Sequence, residues 1–361
     1  MKRGNYILVG DFRVYRYASQ TLKFFIVRRD ITPRKFIAVY FSELAPELGL
    51  LSPFLNSELY YINRYADLAL FGGSRKFTGT CGSLLAKPAI FLPLSAFVDL
   101  NRFFPRSTFK KYDICFYSPF KDGDMERKGA DLFLEILETN KNLSGVWIGG
   151  YDCQEKWKME NAFNSAIRKY NIPINGKLNT NMLWEKDDFF KYGWFSQAKW
   201  KEQKEIFQKR KKEIMKRKIK LDLSFGLDSL QVIKILSQSR SALILSKGSG
   251  CLRFMMEALA MNVPVVAPLD FNASHDFINR NTGINCIRDV REISKSIEYV
   301  LNNQSSFSPR DWFSKEWGLK ECTLKLIRFL EEIGLKYDAI YSLPFILEIL
   351  LRRAIKNLKI G

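Results

Sequence analysis

Histidine is nearly absent from this sequence of 361 residues; the one present is His275. A metal site built from several imidazoles is therefore excluded, and a Ser-His-Asp triad would have to form around that one ring. Cysteine occurs but does not cluster. Cys81, Cys115, Cys153, Cys251, Cys286 and Cys322 contain no C-x-x-C pair. That spacing suits neither zinc nor a small disulfide scaffold, and reads as buried small residues in a reducing compartment. No apolar run reaches the ~18 residues that span a bilayer. The segment 339–351 comes nearest, but it holds Pro344 and Glu348 and leads into Arg352 and Arg353. The opening MKRGNYILVGDF has a charged start without a sustained apolar stretch, so no signal peptide is expected. Acids are scarce too: 38 stand against 57 Lys and Arg, a formal charge of +19. Such a field attracts nucleic acid, acidic lipid headgroups or phosphorylated small molecules without choosing among them, and equally serves as a solubilising surface.

What is abundant is core material. Hydrophobic residues make up 47% of the chain and Phe alone numbers 29, which argues against disorder. The length fits one large or two medium domains. Short apolar, β-rich runs at 6–9, 23–27, 36–41, 66–71 and 89–93 predict strands of a compact α/β unit, reaching to about Phe104. A basic segment at 105–111 reads as a linker. Beyond it, a strand at 114–117, a polar loop SPFKDGDMERKG, a helix over 130–137 and a strand at 145–148 make a βαβ unit and imply a parallel sheet. A helix is predicted at 161–170. Between 199 and 220 about half the residues are Lys or Arg, which predicts a solvated helix projecting as an insertion. Strand and helix then alternate through strands at 221–225, 242–245 and 263–267 and helices at 229–236, 254–260 and 292–301, a doubly wound pattern. The tail at 340–358 reads as an amphipathic helix, packed across the domains or lying on a membrane surface.

Chemistry concentrates in Ser246 to Ala267, SKGSGCLRFMMEALAMNVPVVA. A strand ends, a loop with Gly248, Ser249 and Gly250 follows, and a helix opens. Glycines let backbone N–H groups approach a ligand, and a helix start favours phosphate. Glu257, one to two turns into that helix, can accept hydrogen bonds from vicinal hydroxyls such as those of ribose. Asp122-Gly123-Asp124 offers a second motif, a D-x-D pair able to hold a divalent cation through oxygen.

The stretch resembles the nucleotide-sugar site of the GT-B glycosyltransferases of the family 4 type, whose pattern is S-x-x-E-G-x-x-x-x-x-x-E-A-x-A-x-G-x-P-V-V. Gly250, Glu257, Ala258, Ala260, Pro264, Val265 and Val266 fall on matching positions. Lys128-Gly129 before ADLFLEIL matches the family's Lys-Gly at a helix start, and Val146 to Gly149 its following strand. Asp276-Phe277-Ile278 and Asn281 to Ile284 match the downstream return. The resemblance covers 112–302 and opposes the other glycosyltransferase fold, which would use the D-x-D pair.

It implies an α/β chain of two Rossmann-like domains: a reduced acceptor-side domain over 1–108, a donor domain over 109–310 with a basic helical insertion at about 184–220, and C-terminal helices over 311–361. The implied activity is transfer of a sugar from a nucleotide-sugar donor, with retention and without a metal or other cofactor, to a glycan, lipid or protein acceptor. Lys128 and Glu257 are the implied catalytic residues, Lys128 neutralising the diphosphate and Glu257 binding the ribose. Ser249, Gly250, Arg253 and Lys121 join them at the donor. Ser249 stands where the family has its first acid, and Lys121 is the candidate for the arginine that precedes Lys-Gly. Arg253 either adds charge there or faces solvent. Glu43 is the acceptor-side candidate, where the family often has a histidine. His275 is expected to be structural or to contact a hydroxyl. The expected setting is cytoplasmic, with peripheral contact to an acidic membrane face. Two rivals stay open: a degenerate relative acting as a binding or partner subunit, motivated by Ser249, and a nucleic-acid-binding protein, motivated by the charge.

Overall fold

The computed structural model describes residues 6–11, 35–41, 68–71, 75, 86–106, 108–120, 122–149, 197–227, 229–247, 253–271, 273–334 and 339–342. In chain order the strands are β1 (Tyr6–Asp11), β2 (Lys35–Phe41), β3 (Leu68–Phe71), β4 (Ala89–Phe91), β5 (Tyr112–Tyr117), β6 (Ser144–Gly149), β7 (Lys220–Phe225), β8 (Ser239–Leu243), β9 (Val265–Pro268), β10 (Gly283–Cys286) and β11 (Ala339–Ser342). The helices are α1 (Asp122–Lys128), α2 (Ala130–Thr139), α3 (Gln197–Ile214), α4 (Ser229–Ser237), α5 (Arg253–Ala260), α6 (Ser274–Phe277), α7 (Val290–Asn302), α8 (Pro309–Glu316) and α9 (Gly318–Glu332). The helix expected at 161–170 and the strand expected at 23–27 lie outside the described residues.

The strands form two sheets, one in the order β11-β1-β2-β3-β4 and one in the order β10-β9-β8-β5-β6-β7. Every pairing is parallel. Parallel neighbours cannot be joined by a hairpin, so helices must carry the chain back across the sheet and cover its faces. The strands of the second sheet are accordingly apolar on both sides: Ile114, Cys115, Phe116, Val146, Trp147, Val265 and Val266 are all buried. The change of sheet falls between β4 and β5. One apolar core runs through both sheets, joining Leu68, Leu70 and Leu92 to Met255, Phe277 and Trp317. Phe91 of β4 meets the rings of Phe277 and Trp317 at 6.1 and 5.9 Å.

Three expectations need revision. The loop after β5 contains a helix, α1. Its composition is polar, but Met125 and Lys128, three apart and so on one face, are both buried. The basic segment is helical, as α3, yet it is rooted in the core. Phe207 and Ile214 are buried, and Phe207 lies 5.0 Å from both Phe120 and Phe225. It stands in the crossover between β6 and β7, where one apolar side chain per two turns suffices to anchor it. Of the tail at 340–358, read as helix, the described part belongs to strand β11, paired with the edge of β1, and 343–358 lie outside the described residues. A short apolar run has no period that separates helix from strand, and an open sheet edge takes up the backbone groups.

Candidate functional site

The second sheet has a switch point. From β5 the chain steps one way to β6 and β7, then crosses back to β8 and continues to β9 and β10. Loops leaving β5 and β8 at their C-terminal ends therefore diverge, and the crevice between them is where doubly wound sheets bind ligands. Of the residues singled out from sequence, Lys128 and Gly129 follow β5, and Arg253 and Glu257 are on α5, which follows β8.

Lys128-Gly129 lies at the junction of α1 and α2, after β5. Gly129 has φ 77°, and a Cβ there would stand 2.5 Å from the carbonyl oxygen of Leu245, just past β8. Only glycine satisfies both the left-handed backbone and this approach. The amide of Lys247 donates to the carbonyl of Arg127 at 3.0 Å, tying the two loops together. Lys128 is thereby buried, at 6% exposure, beside the loop that runs toward Ser249 and Gly250. A lysine at that depth is uncommon unless its charge is used or matched.

Helix α5 carries Glu257 in its second turn. Arg253 Nε donates to Glu257 Oε1 at 2.8 Å, one turn earlier on the same helix face. The Glu257 side chain is 16% exposed and that of Arg253 48%. Burial raises the Glu257 pKa from the ordinary glutamate range, while Arg253 and, more weakly, Arg102 act to lower it. Arg253 also reaches the carbonyl of Phe97 at 3.3 Å, in the segment that joins the two sheets. It thus does more than face solvent. The helix ends at Asn262, whose φ of 57° is the left-handed stop for which the resembled pattern has glycine. Asparagine adopts it at low cost.

Arg288 was not legible from sequence. Its guanidinium donates from Nε and Nη2 to the two oxygens of Asp270 at 2.6 and 2.8 Å. It also donates to the carbonyls of Leu245 and Ser246 at 2.7 and 3.0 Å. It fixes the start of the loop after β8 to the ends of β9 and β10. Its partners are 18 to 43 residues away, so no local spacing announces it.

The other candidates divide. Lys121, Ser249, Gly250 and Glu43 lie outside the described residues. His275 is on α6, exposed; its neighbour Asp276 accepts from the backbone amide of Arg75 at 2.9 Å, a contact between the two halves of the chain. Asp122 and Asp124 belong to α1. Among the described residues no three His, Cys, Asp or Glu side chains cluster in a way that could hold a metal ion.

No known sequence-family model matches the chain, and no curated protein sequence matches it. Solved structures do. Sucrose-phosphate synthase from Thermosynechococcus elongatus superposes with a TM-score of 0.56 at 12% identity, over 89% of this chain and 79% of that one. Anabaena HepE, solved with UDP and glucose, gives 0.57 at 10% identity over 89% and 80%. S. aureus TarM, solved with UDP among its ligands, gives 0.51 at 14% identity over 82% and 51%, so this chain spans about half of its length.

The fold is that of the GT-B glycosyltransferases. At such identities the likeness carries the architecture, two Rossmann-like domains, and the chemistry must be argued from the site. Within the GT-B frame Lys128, Gly129 and Glu257 lie on the second domain, on loops or helices that face its C-terminal rim.

Proposed function

We propose that this chain is a glycosyltransferase that takes its sugar from a nucleoside-diphosphate sugar. The observation that carries the reading is the meeting of Lys128-Gly129 with the loop after β8 at the switch point, with Glu257 on the helix which that loop opens. HepE and TarM were solved with UDP, and that supports a uridine nucleotide as the first donor to try.

In this reading the Glu257 carboxylate accepts hydrogen bonds from the ribose. Arg253 occupies Oε1 and leaves Oε2 as the acceptor. The diphosphate lies between Lys128 and the N-terminus of α5, whose amides suit an anion. As the bond between the sugar carbon and the diphosphate oxygen breaks, negative charge grows on the leaving group. A cation already in place stabilises that charge without reorganising. The acceptor hydroxyl forms the new bond and gives its proton to the departing phosphate. Retention, metal independence and membership of the family 4 type are part of this proposal, and the motif resemblance around Gly250 and Glu257 supports them. The acceptor enters from the first domain.

The test is a thermal-shift and donor-hydrolysis screen with UDP-, GDP-, ADP- and TDP-sugars on wild type and Glu257→Gln. One donor stabilises the wild type and is slowly hydrolysed, and both effects vanish in the variant. Absence of any response to all four donors sinks the proposal. Binding without turnover in the presence of every acceptor class tried would place the chain with the partner subunits; the ion pair already resting on Glu257 is the observation that favours that second reading.

A further inference from the structure

At the opposite rim of the six-stranded sheet, where its strands begin, cations are arranged differently. The register pairs Ser144 with Lys220, and Lys111 reaches Asp222 at 2.5 Å. Residues 109–111, 140–143 and 215–220 therefore lie side by side. From 209 to 220 there are eight basic residues and one acid. The two arginines are engaged: Arg210 with Glu213 at 2.8 Å and Arg217 with Glu138 at 2.9 Å. The lysines Lys209, Lys211, Lys212, Lys216, Lys218 and Lys220 are exposed, and none has an ion pair among the described residues. Two large apolar side chains stand out among them, Phe109 at 87% exposure and Met215 at 62%.

The geometry points to a docking surface for an anionic lipid bilayer, formed by the C-terminal half of α3, the turn after it and the segment before β5. Charge complementarity selects an anion. The kind of cation selects a surface over a defined phosphate group. Arginine forks read phosphates one at a time, and here both are held by glutamates; what remains is a field of lysines, which acts on a diffuse negative surface. Phe109 and Met215 supply apolar tips that enter the headgroup layer between the lysine heads. A single-stranded nucleic acid would call for a row of stacking rings, and among the described residues of this surface Phe109 is the one exposed ring. The surface's turn and its segment before β5 lie where the strands begin, away from the crevice at the C-terminal ends of β5 and β8. The inference stands independently of the donor reading.

The full chain is sedimented with vesicles of phosphatidylcholine alone and with added phosphatidylglycerol, at about 0.15 M salt, where exposed charges are screened beyond ~8 Å. One variant is Lys212→Glu/Lys216→Glu/Lys218→Glu. A second is Phe109→Ser/Met215→Ser. The control, Arg291→Glu/Lys320→Glu/Arg328→Glu, makes the same change in net charge elsewhere. Thermal melts verify folding, and all substituted side chains are exposed. Wild type binds only the anionic vesicles. The lysine variant loses at least about tenfold in partition, since each basic residue near such a surface contributes on the order of a kcal/mol. The apolar pair loses several-fold and the control stays close to wild type. Three results overturn the inference: no binding to anionic vesicles, an equal loss in the control, or loss of oligonucleotide binding in the lysine variant while vesicle binding persists.

Discussion

Two rims of one sheet carry cations in this protein, and they differ in what surrounds them. At the C-terminal rim Lys128 is buried, Arg253 is held by a half-buried carboxylate, and Arg288 is spent on Asp270 and two backbone carbonyls. At the N-terminal rim the lysines are exposed, and the two nearby arginines are neutralised locally. The net charge of +19 is blind to this difference. Burial and partners, not the number of charges, separate an enclosed cation from a field of solvated ones.

The comparison can be broken most directly at Lys128. Lys128→Met keeps the side chain's bulk and removes its charge, and turnover should fall about 10²- to 10³-fold, as for loss of one preorganised group at a developing anion. Removing a lysine at the other rim, Lys218→Met, should leave turnover unchanged. Steady-state kinetics on both variants, once the donor is known, checks this. Gly129→Val tests the rim's geometry. A β-branched side chain with φ near 77° and a Cβ against Leu245 should cost about 3 kcal/mol or more in urea unfolding. Arg288→Met leaves the Leu245 and Ser246 carbonyls and Asp270 without their donor, and should lower stability by roughly 2 kcal/mol and weaken nucleotide binding.

Glu257 gives a subtler test through pH. Its pKa is raised above the ordinary value of 4.5 because burial disfavours the carboxylate. In the proposed reading the charged form accepts from the ribose, so nucleotide affinity should fall as pH drops through that raised value, beginning above 4.5. Calorimetric titration with UDP from neutral pH downward measures it, and Arg253→Ala should move the onset to higher pH. Stability runs the other way. A carboxyl that holds its proton more tightly folded than unfolded favours the fold in acid, and loses that contribution as pH rises through the folded pKa. Glu257→Gln should thus be no less heat-stable than wild type at neutral pH, although it loses donor binding.

The smallest expected effect is a null one. Burial pushes the Cys115 and Cys322 thiols up to about 12 and raises that of Cys286 as well. These three should resist a thiol reagent in the native protein and react once it is unfolded, as peptide mapping after labelling would show.

Most of the second domain was legible. The runs that became β5, β6 and β7, and the amphipathic helices α2, α4, α5 and α7, follow from local apolar patterning, which survives in the folded state because each element buries the face its sequence marks. Boundaries moved by two or three residues at β8 and β9. Strand β10 and the division of 309–332 into α8 and α9 were not anticipated, since a four-residue strand and a helix break at Gly318 leave little periodic signal. Helix α1 was hidden by its polar composition, and β11 by its distance from β1. Of the site, Glu257, Lys128 and Gly129 could be picked out because they sit in recognisable local strings.

What the sequence by itself determined was local. Glycine at 129, a carboxylate one turn after Arg253, and lysines crowded between 209 and 220 are chemical facts of the chain, and periodicity dictates which elements carry them. What only the tertiary structure decided was proximity. The sheet order places the loop after β5 beside the loop after β8 although more than one hundred residues separate them, and closing that gap is a property of strand pairing, not of any window of sequence. The same order sets Lys128 and the lysines of 216–220 at opposite ends of parallel strands. In the first place a cation is enclosed by backbone and cannot escape its neighbours; in the second it stands in water, where solvent screens it.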